Sequence, residues 1–188
     1  MSAQDSKIQY RAVTPETFTS LAVFSGCHGK FAYCSCMRWR MLSTEYQEST
    51  KASRAKKLGQ MVSAGLPVGV LAYIRNEPVG WCSIAPRESY QALERYKALP
   101  RIDDAKVWSV VCFFVDRRFR RRQLTLGLLK AALKYARSQG ARVVEGYPVE
   151  PGSRLYTYMG SQATFRKAGF QDVTPKGQLR KVVRRAFQ

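Results

Sequence analysis

The chain has 188 residues, 45% of them apolar, and 32 lysines and arginines stand against 13 aspartates and glutamates, a formal net charge of +19. That length suits one domain with a real core, that apolar share excludes a disordered chain, and that charge draws anions such as nucleic acid or a phosphorylated cofactor. No apolar run of about 18 residues predicts a membrane span, and the polar start Met1–Arg11 does not read as a secretion signal, so a cytoplasmic protein with no membrane partner is expected.

Residues 1–50 show no steady period. Within them Cys27, His28, Cys34 and Cys36 cluster as C-H-x5-C-x-C, without the paired C-x2-C knuckles of common structural zinc sites. The five cysteines, which include Cys82 and Cys112, are odd in number, so reduced thiols and no metal are expected. Residues 50–64 carry Leu58, Met61 and Val62 at helical spacing, and Gly65 and Pro67 end the pattern. Val68–Ile74 and Val79–Ala85 read as a hairpin around an Asn76-Glu77-Pro78 turn. Residues 88–99 suggest a short polar helix, followed by a loop at Pro100 and Asp103-Asp104. The run V-W-S-V-V-C-F-F-V over Val107–Val115 suits a strand buried on both faces. Leu124, Leu128, Leu129, Ala132, Leu133 and Ala136 mark an amphipathic helix that Gly140 ends, and Val143–Tyr147 is another buried strand. Strand, helix and strand in that order imply parallel neighbours. Ser161 is placed to cap a helix over Gln162–Ala168, and Phe170–Val173 and Leu179–Phe187 read as a late pair of strands.

The informative segment lies between the buried strand and the long helix: Asp116-Arg117-Arg118-Phe119-Arg120-Arg121-Arg122-Gln123. A helix N-terminus offers unpaired backbone N–H groups and partial positive charge, and arginines added to it make a pyrophosphate site. From composition alone, a solvated basic loop and a nucleic-acid contact remain open beside that reading.

This segment resembles the acetyl-CoA motif of GNAT acetyltransferases, R/Q-x-x-G-x-G/A, with Arg120 at its first position. Val79-Gly80-Trp81 is similar to that family's central hairpin, V-V-E-G-Y-P over Val143–Pro148 to its splayed strand, and F-R-K-A-G-F over Phe165–Phe170 to its Y-E-K-x-G-F ending. The resemblance spans residues 65–187 and matches residues 1–64 only as variable acceptor-side helices. It implies an α/β GNAT-type acyl-CoA N-acyltransferase fold, a mixed central sheet flanked by helices, in a single domain over 1–188. It further implies transfer of an acetyl or short acyl group from acetyl-CoA to a primary amine, by direct attack in a ternary complex and without metal.

Under the resemblance Arg120, Arg121, Arg122, Gln123, Leu124 and Thr125 cradle the pyrophosphate, and the backbone of Phe113 and Val115 pairs with the pantetheine arm. Glu145, with Glu150, is the candidate base, and Tyr147 and Tyr158, with Tyr156, are candidate acids. Trp39, between Arg38 and Arg40, and Trp81 are taken for the acceptor site. Two departures stand out: Gln123 and Thr125 replace the motif's glycines, and Phe165 stands where the family has its proton-donating tyrosine. A small amine acceptor is preferred to an RNA-linked amine such as aminoacyl-tRNA, although the charge leaves an RNA contact open. A degenerate domain that only binds acyl-CoA or nucleic acid is the alternative, and a homodimer is compatible with either.

Overall fold

The computed structural model describes residues 7–27, 34–150 and 152–187, without the side chain of Cys27. A seven-stranded sheet organises them, in the order β1-β2-β3-β4-β5-β7-β6. The strands are β1 (Gln9–Ala12), β2 (Gly69–Ile74), β3 (Glu77–Pro86), β4 (Trp108–Val115), β5 (Val143–Gly146), β6 (Gln171–Asp172) and β7 (Val183–Ala186). Only the central β4–β5 pair is parallel. That pair is joined by the crossover helix α5 (Leu124–Ser138), as the strand–helix–strand pattern predicts. The remaining helices are α1 (Phe18–Cys27), α2 (Ser43–Glu48), α3 (Lys51–Ser63), the single turn α4 (Gln91–Glu94) and α6 (Gln162–Lys167).

Both faces of the sheet are covered, which is why β2, β3 and β4 are near-continuous apolar runs rather than alternating ones. On one face, Leu128, Leu129 and Leu133 of α5 pack on Val79, Ile84 and Val110. Burying each leucine stabilises the fold by about 1.5–3 kcal/mol. On the other, Leu21 and Phe24 of α1 and Leu58 and Val62 of α3 meet Leu71, Tyr73 and Trp81. Helix α3 starts where Thr50 accepts from the Ser53 N–H at 3.1 Å, and α6 where Ser161 accepts from Thr164 at 3.3 Å.

Four elements differ from their sequence patterns. The hairpin turn is Arg75-Asn76, both left-handed (φ 49° and 62°), and Glu77 and Pro78 already belong to β3. Two consecutive left-handed residues match the twist of paired strands, and Pro78 is tolerated beside the irregularity where Val79 is the extra residue. The helix expected over 88–99 shrinks to a 3-10 turn and α4, because Tyr90 (φ −113°, ψ 74°) leaves helical geometry with its ring fully buried. The last strand begins only at Val183, and Leu179 is 95% exposed. Finally, β1, α1 and α2 occupy the first fifty residues, where no periodic pattern announced them.

Candidate active site

Strands β4 and β5 pair over only three positions, Trp108–Val110 with Val144–Gly146, and then part. Val111 causes the parting. Ser83 pairs with Cys112 and Ile84 with Val110, so Val111 is an extra residue that bends β4. Beyond it, Val111–Val115 have no strand partner on the β5 side. Phe165 props the gap from behind. Its ring lies so close to Gly146 that a Cβ there would meet it at 2.3 Å, and it stacks edge-on against Phe113, with centroids 6.1 Å apart.

The gap opens into a cleft of about 830 Å³. One wall is Phe113, Phe114 and Val115 of β4, the floor is the arginine turn and the head of α5, and the far wall is residues 154–161 with Thr164 and Lys167. In the turn, Arg121 (φ 65°) and Gln123 (φ 56°) are left-handed, and Gln123 caps α5 through its carbonyl, which accepts from the Gly127 N–H at 3.1 Å. No acceptor among the described residues meets the backbone N–H groups of residues 121–126. They form a concave run of donors at the positive end of a four-turn helix, with Arg120, Arg121, Arg154 and Lys167 around it. Arg120 is held in place by donating from Nε to the Val115 carbonyl at 3.2 Å. Arg118 is committed elsewhere, pairing with Asp116 at 2.7 Å and Glu77 at 2.6 Å.

Phe113, Phe114 and Tyr158 also border a second, mainly apolar cavity of about 220 Å³, continuous in its lining with the cleft. Cys34, Cys36, Arg38, Trp39, Tyr46, Val111 and Cys112 complete it. Burial pushes the thiols of Cys34 and Cys36 up, so both stay neutral and poorly nucleophilic. Tyr158 stands at the junction of the two spaces. Its hydroxyl has no hydrogen bond among the described residues, and burial raises its pKa above the ordinary phenol value.

Residues 34–170 match the sequence model of the acetyltransferase (GNAT) family. This chain belongs to the GNAT acetyltransferase family. Solved GNAT structures superpose along almost its whole length. The PaiA N-acetyltransferase of Thermoplasma acidophilum, solved in complex with coenzyme A, aligns with TM-score 0.54 at 12% identity, covering 96% of this chain and 99% of that one. The ribosomal-protein-alanine N-acetyltransferase of Brucella melitensis gives 0.53 at 15% identity, with 95% and 99% covered. The polyamine N-acetyltransferase of Drosophila melanogaster gives 0.55 at 12% identity, with 96% and 100% covered. At these identities the likeness is one of fold. No curated protein matches the sequence.

Most residues expected to hold the co-substrate of a GNAT domain line the cleft: Phe113, Val115, Arg120, Arg121, Gln123, Leu124 and Thr125. Arg122 does not line it, and its guanidinium lies 5.8 Å from the Phe119 ring. Arg154, Ser161, Thr164 and Lys167 were not singled out from the sequence, because nothing in their local pattern shows that α6 and the preceding loop face the arginine turn.

Among the candidate catalytic residues, only Tyr158 borders both spaces. Glu145 is 1% exposed and held by Arg87 at 2.6 Å, Arg184 at 2.7 Å and the Tyr147 hydroxyl at 2.6 Å. Tyr147 is fully buried, and burial followed by the Glu145 charge drives its pKa well up. Trp39 lines the small cavity, whereas Trp81 is fully buried, with its indole N–H donating to the Cys36 Sγ at 2.7 Å. Arg40 turns away from the site, donating to the Val68 carbonyl and the Tyr90 hydroxyl. His28 and the side chain of Cys27 lie outside the described residues. Among those described, no three His, Cys, Asp or Glu side chains gather as a metal would need.

Proposed function

We propose that the protein is an acetyl-CoA-dependent N-acetyltransferase that acylates a small primary amine by direct transfer in a ternary complex. One observation carries the reading: the unaccepted backbone N–H groups of residues 121–126 stand at the head of α5, beside a β4 edge that β5 has left unpaired. The first is a set of donors and the second an edge of alternating donors and acceptors, and a pyrophosphate followed by an amide-bearing arm suits them in that order. The residues present fit that ligand. Arg120, Arg121 and the amides of Gln123, Leu124 and Thr125 would hold the pyrophosphate, with Lys167 and Arg154 opposite. Phe113 and Val115 would offer backbone groups to the arm. Gln123 already adopts the left-handed conformation for which a glycine is usually needed, so the missing glycine leaves the turn's shape intact.

Bound there, acetyl-CoA supplies a thioester carbonyl as the electrophile. The chain's own part is positional and protonic. Backbone N–H groups near the Val111 bulge would face the carbonyl oxygen as charge builds on it. The amine nitrogen–carbon bond forms as the carbon–sulfur bond breaks, and the departing sulfur takes the Tyr158 proton. No carboxylate lines either space among the described residues, so the amine attacks in its neutral form and releases its proton to water. Glu145 and Tyr147 then serve to tie β5 to its neighbours rather than to move protons.

A small acceptor is favoured over an RNA-linked one because the C-terminal basic residues are engaged within the fold. Arg180 stacks on Tyr156, Lys181 pairs with Asp172, Arg184 with Asp103 and Glu145, and Arg185 donates to the Ala168 carbonyl. A domain that binds acyl-CoA without turnover is the second reading, favoured by the absence of a carboxylate among the described lining residues. Thiol release from acetyl-CoA, screened over amine classes and over charged tRNA, tests the proposal. Turnover of a small amine is expected, and labelling of aminoacyl-tRNA alone would overturn that choice of acceptor.

A further inference from the structure

The small cavity beside Tyr158 has the contents of a specificity pocket, and its charge is the reverse of what a polyamine needs. Arg38 is the only charged residue among the described residues lining it. The guanidinium lies 5.6 Å from the Trp39 ring and 5.7 Å from the Tyr46 ring, both lining residues, so it is held by aromatic faces. It meets no hydrogen-bond acceptor or carboxylate among the described residues. Trp39 is 3% exposed, so its ring forms a fixed wall of the cavity rather than a movable one. A half-buried cation with no acceptor among the described residues is one that a ligand carboxylate can complete. The rest of the lining is apolar or neutral, and 220 Å³ falls below the roughly 300 Å³ where pockets for larger ligands begin.

We propose that this cavity binds the acceptor, and that the acceptor is a small apolar amine bearing a carboxylate, of the free amino-acid class. The inference rests on the acetyltransferase reading above. The carboxylate meets Arg38, the apolar body fills the space against Trp39, Phe114 and Cys112, and the amine is left facing the cleft at Tyr158. The same cation works against an alkylammonium held beside it. Neutral amines are favoured at the point of attack, and dications such as polyamines are excluded. The transfer balances: the amine gains the acetyl group and loses one proton to water, the thiol leaves with the proton from Tyr158, and the phenolate regains a proton from water.

The test compares phenylalanine, leucine and methionine, each with its decarboxylated amine, and adds spermidine, using acetyl-CoA and thiol release. The carboxylated member of at least one pair should lead in kcat/KM by about 10- to 100-fold, the range of a charge-assisted hydrogen bond. Arg38→Met should bring that pair to near parity, mainly through KM, and Arg38→Lys should restore part of the preference. Acetyl-CoA affinity, measured on each variant, reports that the fold and the cleft are intact. Equal or better turnover of the decarboxylated amines or of spermidine overturns the inference and leaves the acetyltransferase reading standing, as does a preference that survives Arg38→Met. If acetyl-CoA binds but no amine is turned over, the parent reading fails. Calorimetry of the N-acetylated amino acids with the CoA complex then decides: binding lost in Arg38→Met supports the pocket, and no binding overturns it.

Discussion

At Tyr158 the protein places a phenol between two spaces, with no hydrogen bond to its hydroxyl among the described residues and with burial keeping it protonated. A raised pKa keeps the acid form competent beyond about pH 10, the ordinary phenol value. Tyr158→Phe should therefore lower kcat by at least about 100-fold while leaving the dissociation constant for acetyl-CoA unchanged. Stopped-flow turnover beside equilibrium binding checks this, and an unchanged kcat would remove Tyr158 from the mechanism. Because no carboxylate among the described residues lines the cleft, log kcat/KM should climb with unit slope up to the pKa of the acceptor amine. A plateau set by an enzyme group near neutrality would show a base that the lining does not contain. Gln123 carries the other residue-scale prediction, since its φ of 56° is uncomfortable for most side chains. Gln123→Val should cost about 1–2 kcal/mol, whereas Gln123→Gly should be neutral or slightly stabilising; thermal melts separate them.

At the scale of elements, the site exists because β4 is bulged and β5 is short. The apolar run of β4, the arginine turn and the leucine face of α5 could all be read from the sequence, since each rests on local periodicity or local charge. The bulge could not, because Val111 becomes an extra residue only through its pairing with β3. The fate of Glu145 was equally hidden. Its neighbours in sequence suggest a base beside the splayed strand, but Arg87 and Arg184, both distant in sequence, close around it. This network joins β5 to β7 and to the segment after β3, so Glu145→Ala should destabilise the fold by about 3–5 kcal/mol by leaving buried cations unpaired. Urea unfolding measures that loss. A variant of native stability with abolished turnover would make Glu145 catalytic instead.

Across the whole molecule, the net charge of +19 left a polyanion contact open in the sequence, and among the described cations only Arg40, Arg54 and Arg87 are buried, the rest keeping contact with solvent. The C-terminal arginines brace β7, Arg54 is buried on α3, and Arg87 lies in the core; chain-wide composition cannot separate such residues from exposed ones. Any affinity for tRNA should fall steeply with salt, since exposed residues such as Lys130 and Lys134 would act by counterion release rather than by readout. The arginines of the cleft floor are different, since they surround donors that nothing among the described residues accepts. Calorimetric titration with acetyl-CoA tests that assignment most directly. The account predicts one saturable site, a fold stabilised by roughly 2.7 kcal/mol at a hundredfold excess over the dissociation constant, and binding weakened by Arg120→Ala and Lys167→Ala at unchanged stability. No binding at millimolar acetyl-CoA, or binding indifferent to both substitutions, would contradict it.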